Sequence, residues 1–274
     1  MEAKIWHQSM TDLERLPGYR AMLAGHAELA GHGDFSVHLH GVRPGTYPAG
    51  MPPVELTRYP WAHHLIFDQF VEAAVRAEAD GYEAMAISCF VDPALDLARS
   101  AVDIPVVSSC ETALIVGTSV GTSLGLITID QSMVRILNRL VTRYGFGARV
   151  RAVEALHPAV DEFELDDAFS GGGVMIDRFV THARGLLERT DVDVLIPAEG
   201  VLNTVLVRNK VRDVDGVPVL DSYGALLQYG HMLAQLRRRT GLLVGRRGGY
   251  AKPPTHVMNS LRNLTAEMLQ NAVR

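Results

Sequence analysis

Two segments of the chain carry residue types that could transfer protons. Cys89 lies in the segment Ile-Ser-Cys-Phe-Val-Asp-Pro, and a later segment, Ile-Pro-Ala-Glu-Gly, has Ala198 at the matching position and Glu199 beside it. A thiolate removes protons when the pKa of its thiol is low. A carboxyl group in a closed cleft can act as an acid when burial raises its pKa. We therefore predict that Cys89 is a catalytic acid/base group on one half of an enzyme. Glu199 is the candidate catalytic group on the other half.

Each of these residues also has a structural interpretation. Cys89 could be an inert core thiol, but its place between a predicted buried strand and Phe-x-Asp-Pro favours catalysis. Glu199 could instead be a carboxylate that stabilises the start of a helix through the helix dipole, and the pattern does not decide between the two roles. Cys110 also follows a predicted strand, where a packed thiol is the favoured interpretation.

The recurrence around these residues extends to two further pairs of segments in the same order. Residues 4–10 resemble 126–133, and residues 104–109 resemble 217–222. A recurrence in fixed order over more than a hundred residues indicates two similar domains. The alternative is that any two α/β units share strands rich in Ile and Val.

Hydrophobic periodicity predicts strands that alternate with helices, which is typical of α/β proteins with parallel sheets. The predicted strands are 3–7, 37–42, 84–88, 104–107, 124–129, 150–155, 192–196 and 217–220. The predicted helices are 12–30, 63–80, 92–100, 111–119, 133–144, 174–189 and 222–240. We predict two lobes with a cleft between them: lobe one contains residues 1–116 and 223–274, and lobe two contains residues 117–222.

Ligands of parallel sheets bind beyond the carboxyl ends of the strands, where several polar residues of this chain are predicted to lie. Ser9 and Ser132 could hydrogen-bond a substrate carboxylate or carbonyl, or cap the helices that follow them. Cys89 would lie at the head of helix 92–100, where the helix dipole favours a thiolate. The predicted substrate-binding residues are Gln8, Ser9, Phe90, Ser109, Thr112, Gln131, Ser132 and Gly200.

Two segments are predicted to be irregular. Residues 44–60 contain five prolines and two glycines, too many for the interior of an element, and a loop of this length could close as a lid. Residues 170–173, Ser-Gly-Gly-Gly, are predicted to be a flexible linker before a helix.

The composition excludes several classes of protein. The net charge of −5 offers no basic footprint for nucleic acid, and the Arg-rich stretch 237–247 is better explained by a helix end than by a polyanion site. No apolar run is long enough to span a membrane. The histidines lack metal-ligand spacing, so no metal is expected. Two cysteines and no signal-peptide pattern at the N-terminus predict a cytoplasmic protein. It could form a homo-oligomer.

The chain resembles the aspartate/glutamate racemase superfamily, nearest its hydantoin-racemase-like branch. The resemblance rests on three stretches: 89–95 (Cys-Phe-Val-Asp-Pro-Ala-Leu), 104–113 (Ile-Pro-Val-Val, then Glu-Thr-Ala) and 246–253 (Arg-Arg-Gly-Gly-Tyr-Ala-Lys-Pro). It implies two pseudo-symmetric α/β lobes with the active site between them and no cofactor. It also implies that one thiol removes an α-proton while another returns a proton from the opposite face. Cys89 matches the first thiol, but Ala198 occupies the position expected for the second.

This resemblance leads to three hypotheses about function. The first is a racemase or isomerase that acts through an enolate-like intermediate on a small carboxylate or a cyclic amide related to hydantoin. The second, suggested by the single thiol, is a decarboxylase of a malonate-type substrate. The third is a small-molecule-binding protein that kept the cleft and lost the chemistry.

Overall fold

The framework of the fold is a pair of parallel β-sheets with helices between the strands. The computed structural model describes residues 2–48, 51, 53–56, 59–160, 173–258, 260 and 261. The strands are β1 (Ala3–Ser9), β2 (Phe35–His40), β3 (Ala84–Ser88), β4 (Val106–Ser108), β5 (Leu124–Thr128), β6 (Val150–Ala155), β7 (Val194–Pro197), β8 (Asp213–Val214) and β9 (Val217–Pro218). The helices are α1 (Pro17–Gly31), α2 (Pro53–Leu56), α3 (Pro60–Ala79), α4 (Leu95–Ala101), α5 (Ser109–Val120), α6 (Gln131–Arg143), α7 (Gly173–Arg189), α8 (Gly200–Arg208) and α9 (Ser222–Thr240).

The two sheets have the same strand order. The first sheet is β2-β1-β3-β4, with every pair parallel. The second is β6-β5-β7, also parallel, and a parallel bridge from Leu195 to Val219 brings the chain after β9 to the fourth place. The short strands β8 and β9 form a separate antiparallel pair. The predicted α/β class with two similar lobes is confirmed.

The pairing within the sheets agrees with an alignment of Cys89 on Ala198. Ala86 in β3 lies three residues before Cys89, and Leu195 in β7 lies three residues before Ala198. Ala86 pairs with Val107 of β4. Leu195 forms the bridge to Val219, which occupies the fourth strand position of the second sheet. Cys89 and Ala198 therefore follow topologically equivalent strands at the same distance from an equivalent pairing.

The two Gln-Ser pairs of the recurrence are not equivalent, which corrects that part of the sequence alignment. Gln8 and Ser9 are the last residues of β1, whereas Gln131 and Ser132 open α6. Asp130 precedes them and accepts the backbone N–H of Ser132, so this pair belongs to the helix that follows β5 and not to a strand. The match is a local similarity in composition without a shared structural role.

The lobes share hydrophobic cores. Ile5 of the first sheet lies in the same buried cluster as Ile127 and Leu195 of the second sheet. Helix α9 packs against α1, α5, β1 and β3, and this packing supports placing the C-terminal segment with lobe one. The lobe boundaries themselves stay a prediction. No helix in the described ranges has the length and apolar composition that crossing a membrane needs.

The starts of several helices differ from the sequence expectation; α3, for example, begins at Pro60 and not at residue 63. Helix α1 begins at Pro17, a residue suited to a first turn, and not at residue 12. Helix α4 begins at Leu95 and not at residue 92. In α3, the helical spacing of apolar residues over 63–80 predicts that Leu65 lies in the core, but Leu65 is 55% exposed. The buried face of α3 runs instead through Ile66 and Phe70.

The described parts of segment 44–60 are attached to lobe one. The hydroxyl of Tyr47 donates to the carbonyl of Met10 at 2.5 Å. Just before the segment, Gly41 lies so close to the β1–α1 loop that a Cβ there would be 2.3 Å from the carbonyl of Thr11. Residues 49, 50, 52, 57 and 58 lie outside the described residues, as does most of the predicted linker, 170–172. A lid role for segment 44–60 stays a prediction.

Candidate active site

Cys89 lies in a tight turn directly after the buried strand β3. The side chain is half-buried and is not part of a disulfide. The carbonyl of Cys89 accepts the N–H of Asp92 at 3.1 Å, and Asp92 and Ala94 have left-handed backbones with φ of 46° and 51°. These two residues delay α4 until Leu95, because a helix cannot continue through left-handed residues. The prediction that Cys89 lies at the head of a helix is therefore wrong.

The carboxylate of Asp92 is the main anchor of this turn. It is buried and accepts four hydrogen bonds, two at each oxygen. At Oδ1 the donors are the hydroxyl of Ser108 at 2.6 Å and the N–H of Cys110 at 2.9 Å. At Oδ2 they are the N–H of Glu111 at 2.9 Å and the hydroxyl of Tyr144 at 2.8 Å. The side chain thus caps α5 from a distant part of the chain and also contacts lobe two through Tyr144.

This anchoring fixes the backbone that carries Cys89. Burial raises the pKa of Asp92, and the four donated hydrogen bonds oppose that rise. Two of the donors are backbone N–H groups, which can only donate, so the surroundings suit an ionised carboxylate. Cys110 is fully buried among apolar residues, and burial raises the pKa of its thiol well above the ordinary value. This is the environment of an inert thiol.

The start of α5 forms one wall beside the Cys89 turn. Ser109 is buried and donates its hydroxyl to the carbonyl of Ile87 at 3.2 Å. Thr112 lies one turn further along, and its buried hydroxyl has no hydrogen-bond partner in the described chain. Phe90 is buried in a cluster that also contains Leu124 and Ala198 of lobe two. Phe90 therefore packs between the lobes, with little surface left for a substrate.

The end of β1 forms a second wall. Gln8 is buried, accepts the indole N–H of Trp6 at 3.1 Å and donates to the carbonyl of Ser9. The Ser9 hydroxyl accepts the N–H of Thr11 at 3.0 Å, so it stabilises a turn and caps no helix. Sequence reasoning missed Asp12 in the same loop. Its Oδ1 accepts the N–H of Glu14, but its buried Oδ2 has no hydrogen-bond partner in the described chain.

Glu199 provides the acidic group on lobe two. It caps α8, where its Oε2 accepts the N–H of Leu202 at 2.7 Å. The residue keeps a partly exposed surface, but protein atoms surround its carboxylate. This burial raises the pKa of Glu199, although the backbone N–H groups at the start of α8 act to lower it. Glu199 therefore has the structural role, and its raised pKa is compatible with the acid role as well. Ala198, next to it, is fully buried.

Two contacts connect the junction of β7 and α8 with α1 and α9. A Cβ at Gly200 would lie 2.9 Å from the hydroxyl of Tyr19 in α1, so a larger residue there would require the tyrosine side chain to shift. The hydroxyl of Ser222 in α9 donates to the carbonyl of Pro197 at 3.4 Å. Tyr19 was not predicted from the sequence, because nothing in its local segment signals a contact with a residue so far along the chain.

A cluster of buried polar rings supports the start of α9. His7 lies on the same face of β1 as Ser9, is fully buried, and has an edge-on ring contact with Tyr223. Burial lowers the pKa of His7 to about 3. Tyr223 also contacts the ring of His26, whose Nε2 lies 2.8 Å from Asp221. Neither nitrogen of His7 has a hydrogen-bond partner in the described chain.

Several predicted substrate-binding residues lie at the carboxyl ends of the strands or at the first turns of the helices that follow them: Ser9, Ser109, Thr112, Gln131, Ser132 and Gly200. Of these, Gln131 is exposed. Their contacts with a substrate stay a prediction. No group of three or more His, Cys, Asp or Glu side chains within the described residues could hold a metal ion.

Most of the charged residues at this edge of the sheets are acidic. The segments that directly follow β3, β4, β5 and β7, and the one that precedes α9, contain carboxylates and no Lys or Arg, whereas the segment after β1 also contains the exposed Arg15. The carboxylates include Asp12, Asp92, Glu111, Asp130, Glu199 and Asp221. Four of them cap helices: Asp92 caps α5, Asp130 α6, Glu199 α8 and Asp221 α9. The N-termini of these four helices are therefore already occupied by carboxylates of the protein itself.

Comparisons with known proteins agree with this architecture. The family model of Asp/Glu/Hydantoin racemase matches residues 44–230. The hydantoin racemase of Pseudomonas sp. (strain NS671) is 23% identical over 193 residues, which are 70% of this chain and 74% of that protein. The hydantoin racemase of Rhizobium meliloti is 26% identical over 158 residues, 58% of this chain and 63% of that protein. The structure of allantoin racemase from Klebsiella pneumoniae has a TM-score of 0.76 at 20% identity and covers 93% of this chain and 95% of that one.

Two lobes with equivalent sheets, and a cysteine at the end of a central strand, define an enzyme of the racemase type. The chain belongs to the Asp/Glu/Hydantoin racemase family, since the family model matches well over half of it, including Cys89 and Glu199. The predicted resemblance is confirmed. Enzymes of this family act on small molecules.

Proposed function

We propose that the protein racemises a small, uncharged cyclic amide related to hydantoin, without a cofactor, through an enolate-like intermediate. The observation that carries the proposal is the placement of Cys89: a half-buried thiol at the carboxyl end of a buried strand, in a turn anchored by a fully hydrogen-bonded carboxylate. A fixed turn holds an acid/base group at a constant distance from a bound substrate, which is what efficient proton transfer requires.

The chemistry proposed for Cys89 is the removal of the proton on the stereogenic carbon. The thiolate sulfur takes the proton, and the electron pair of the broken C–H bond moves into the enolate of the adjacent carbonyl. A donor on the opposite face then returns a proton to the carbon with inverted configuration. Glu199 is the proposed donor because it follows the strand equivalent to that of Cys89 and burial raises its pKa. The reverse sequence of steps racemises the other enantiomer.

The acidic edge of the sheets supports an uncharged substrate over an acidic amino acid. Asp12, Asp92 and Glu199 lie at this edge of the sheets, and the segments that directly follow β3, β4, β5 and β7 contain no Lys or Arg to bind a substrate carboxylate. Like charges at short range disfavour binding of an anion. A ring amide carries hydrogen-bond donors and acceptors without a charge, and the Ser9 and Ser109 hydroxyls and the unpaired Thr112 hydroxyl suit such a ligand.

A one-sided reaction is the second candidate, and the buried alanine at position 198 favours it. If Glu199 only caps α8, Cys89 is the single proton donor. The reaction would then be the decarboxylation of a malonate-type substrate with protonation from one face. The same acidic edge argues against this alternative, because a malonate carries two negative charges.

Incubation with hydantoins in deuterated water tests the proposal and separates these two reactions. An enantiopure 5-substituted hydantoin should lose optical rotation while its product gains one deuterium at C5 with no loss of carbon dioxide. Cys89→Ala should abolish both changes, and the matched variant Cys110→Ala should keep them. Release of carbon dioxide from an arylmalonate with no action on any hydantoin would contradict the racemase proposal.

The cellular location and the oligomeric state of the enzyme are proposed on separate grounds. A half-buried catalytic thiol stays reactive in reducing surroundings, and this supports a cytoplasmic location.

Trp61 and Leu65 are 78% and 55% exposed and one turn apart on α3, which supports burial in a homo-oligomer. Size-exclusion chromatography with light scattering tests the second point, and a monomeric mass would contradict it.

A further inference from the structure

A cavity lies at the edge of the first sheet opposite the candidate active site. Its volume is about 210 Å³, many times the ~10–15 Å³ that one water needs but below the ~300–1,000 Å³ of sites for drug-sized ligands. Val106, at the start of β4, and Leu233 and Arg237, in the second half of α9, form one side. Residues 242–245 and Tyr250 of the segment after α9 form the other side.

This segment is firmly attached to lobe one, so the cavity has a defined wall. The guanidinium of Arg246 donates to the carbonyls of Arg99 and Tyr250 at 2.9 and 2.8 Å. Arg246 and Lys252 also contact the two carboxylate oxygens of Asp103 at 2.5 and 2.6 Å. Hydrogen bonds from Lys252 and Arg246 lower the pKa of Asp103, which keeps it ionised and bound to them.

One positive charge in the cavity is left without a counter-charge. Arg99 forms two hydrogen bonds to the carboxylate of Glu111, and Asp103 is paired with two cations. Arg237 lines the same cavity but has no acidic partner within the described residues, and its Nε–H is buried without a hydrogen-bond acceptor there. A buried donor without a partner is unfavourable, and a planar guanidinium binds a carboxylate through two parallel hydrogen bonds.

We propose that this cavity is a binding site for a small carboxylate with an apolar body. The carboxylate accepts the Nε–H and an Nη–H of Arg237, and the apolar body packs against Val106, Leu233 and Leu242. A phosphate is a poorer match because it carries more charge than a single unpaired guanidinium neutralises, and the rest of the lining is mainly apolar. The site is separate from the cleft at Cys89 and does not depend on the racemase proposal.

Fluorine NMR with 4-fluorobenzoate as the probe tests this site on the whole chain. We expect binding in the millimolar range, with 4-fluorobenzamide, the neutral analogue, binding much more weakly. Arg237→Gln should weaken the benzoate about tenfold or more, the loss expected for charge-assisted hydrogen bonds. The matched control Arg239→Gln removes an exposed charge from the same helix end and should leave the affinity unchanged.

Three results would overturn the proposal. One is equal affinity of the benzoate for wild type and Arg237→Gln, which would place the probe elsewhere. Another is displacement of the probe by an equal concentration of inorganic phosphate, which would show that any anion is accepted. The third is a change of oligomeric state in Arg237→Gln with no probe bound to wild type, which would make this surface a protein contact. Circular dichroism of both variants checks that α9 is intact.

Discussion

Replacing Asp92 with asparagine should destabilise the protein strongly, because the change replaces one hydrogen-bond acceptor of a buried side chain with a hydrogen-bond donor. Asparagine keeps the shape of aspartate but presents one amide NH₂ in place of an acceptor oxygen. Whichever way the amide points, the NH₂ meets one hydroxyl and one backbone N–H: Ser108 with Cys110, or Tyr144 with Glu111. The hydroxyl can rotate and accept, but the backbone N–H cannot.

The magnitude follows from this geometry. One buried N–H loses its acceptor, which costs about 1–3 kcal/mol. The remaining hydrogen bonds lose the charge of the acceptor, which weakens each of them. We expect a total loss of about 2–4 kcal/mol in the free energy of unfolding, a large part of the ~5–15 kcal/mol typical of a folded domain. Tyr144→Phe removes only one hydrogen bond and should lose about 1–2 kcal/mol.

Urea unfolding followed by tryptophan fluorescence measures these losses. Trp6 is buried and reports unfolding of lobe one, whereas Trp61 is exposed and changes little. Asp96→Asn is the matched control, because Asp96 on α4 has a partly exposed carboxylate that forms an ion pair with exposed Arg143. An exposed pair of this kind contributes about 0–1 kcal/mol.

The effects of the Asp92 and Tyr144 substitutions on the free energy of unfolding should not be additive. Asp92→Asn combined with Tyr144→Phe should lose less than the sum of the single losses, since both remove the same contact. If Asp92→Asn lost no more than Asp96→Asn, the four hydrogen bonds would contribute little, and the Cys89 turn would owe its shape to other contacts. Strict additivity of the double variant would exclude an energetic link between Asp92 and Tyr144.

Three further outcomes are expected. Cys89→Ala should lower turnover about 10²-fold or more with little effect on stability, while Cys110→Ala should retain activity; equal losses in the two variants would refute the assignment. The rate of wild type should fall at higher pH as Glu199 ionises, and Glu199→Gln, which can still accept the N–H of Leu202, should remove that limb of the profile; an unchanged profile would leave Glu199 as a helix cap only. The unfolded chain binds a proton at His7 below about pH 6.5, whereas the folded chain does so only near pH 3. Stability should therefore decline as the pH falls through this window, by up to ~1.4 kcal/mol per pH unit, and less steeply in His7→Phe; parallel curves for the two proteins would contradict buried, neutral His7.

The regular elements were largely predictable from the sequence because their signals are local. Strand β6 and helix α9 have the bounds that periodicity predicts, 150–155 and 222–240. The equivalence of Cys89 and Ala198 was also visible, since each follows a short buried strand in a recurring segment. Alternating strands and helices were enough to predict parallel sheets and two lobes.

The turn after Cys89 was not predictable in the same way. Pro93 favours a first helical turn when only neighbours are considered, and this led to a predicted helix from residue 92. The left-handed backbone at Asp92 is stabilised by contacts with α5 and Tyr144, which are 16 to 52 residues away in the chain. Contacts at such separations leave no local sequence signal. The exposure of Leu65 likewise depends on which face of α3 meets the sheet.

The acidic edge of the two sheets has a consequence for the kinetics of association. A cleft lined by carboxylates repels anions at long range and leaves an uncharged ligand unaffected, and dissolved salt screens only the repulsion. The on-rate of a neutral hydantoin should thus be nearly independent of ionic strength. Anionic analogues should bind faster as salt is added, and phosphate and sulfate should be weak competitors. In this way the four carboxylates that cap helices would also discriminate against anionic metabolites before any of them reaches Cys89.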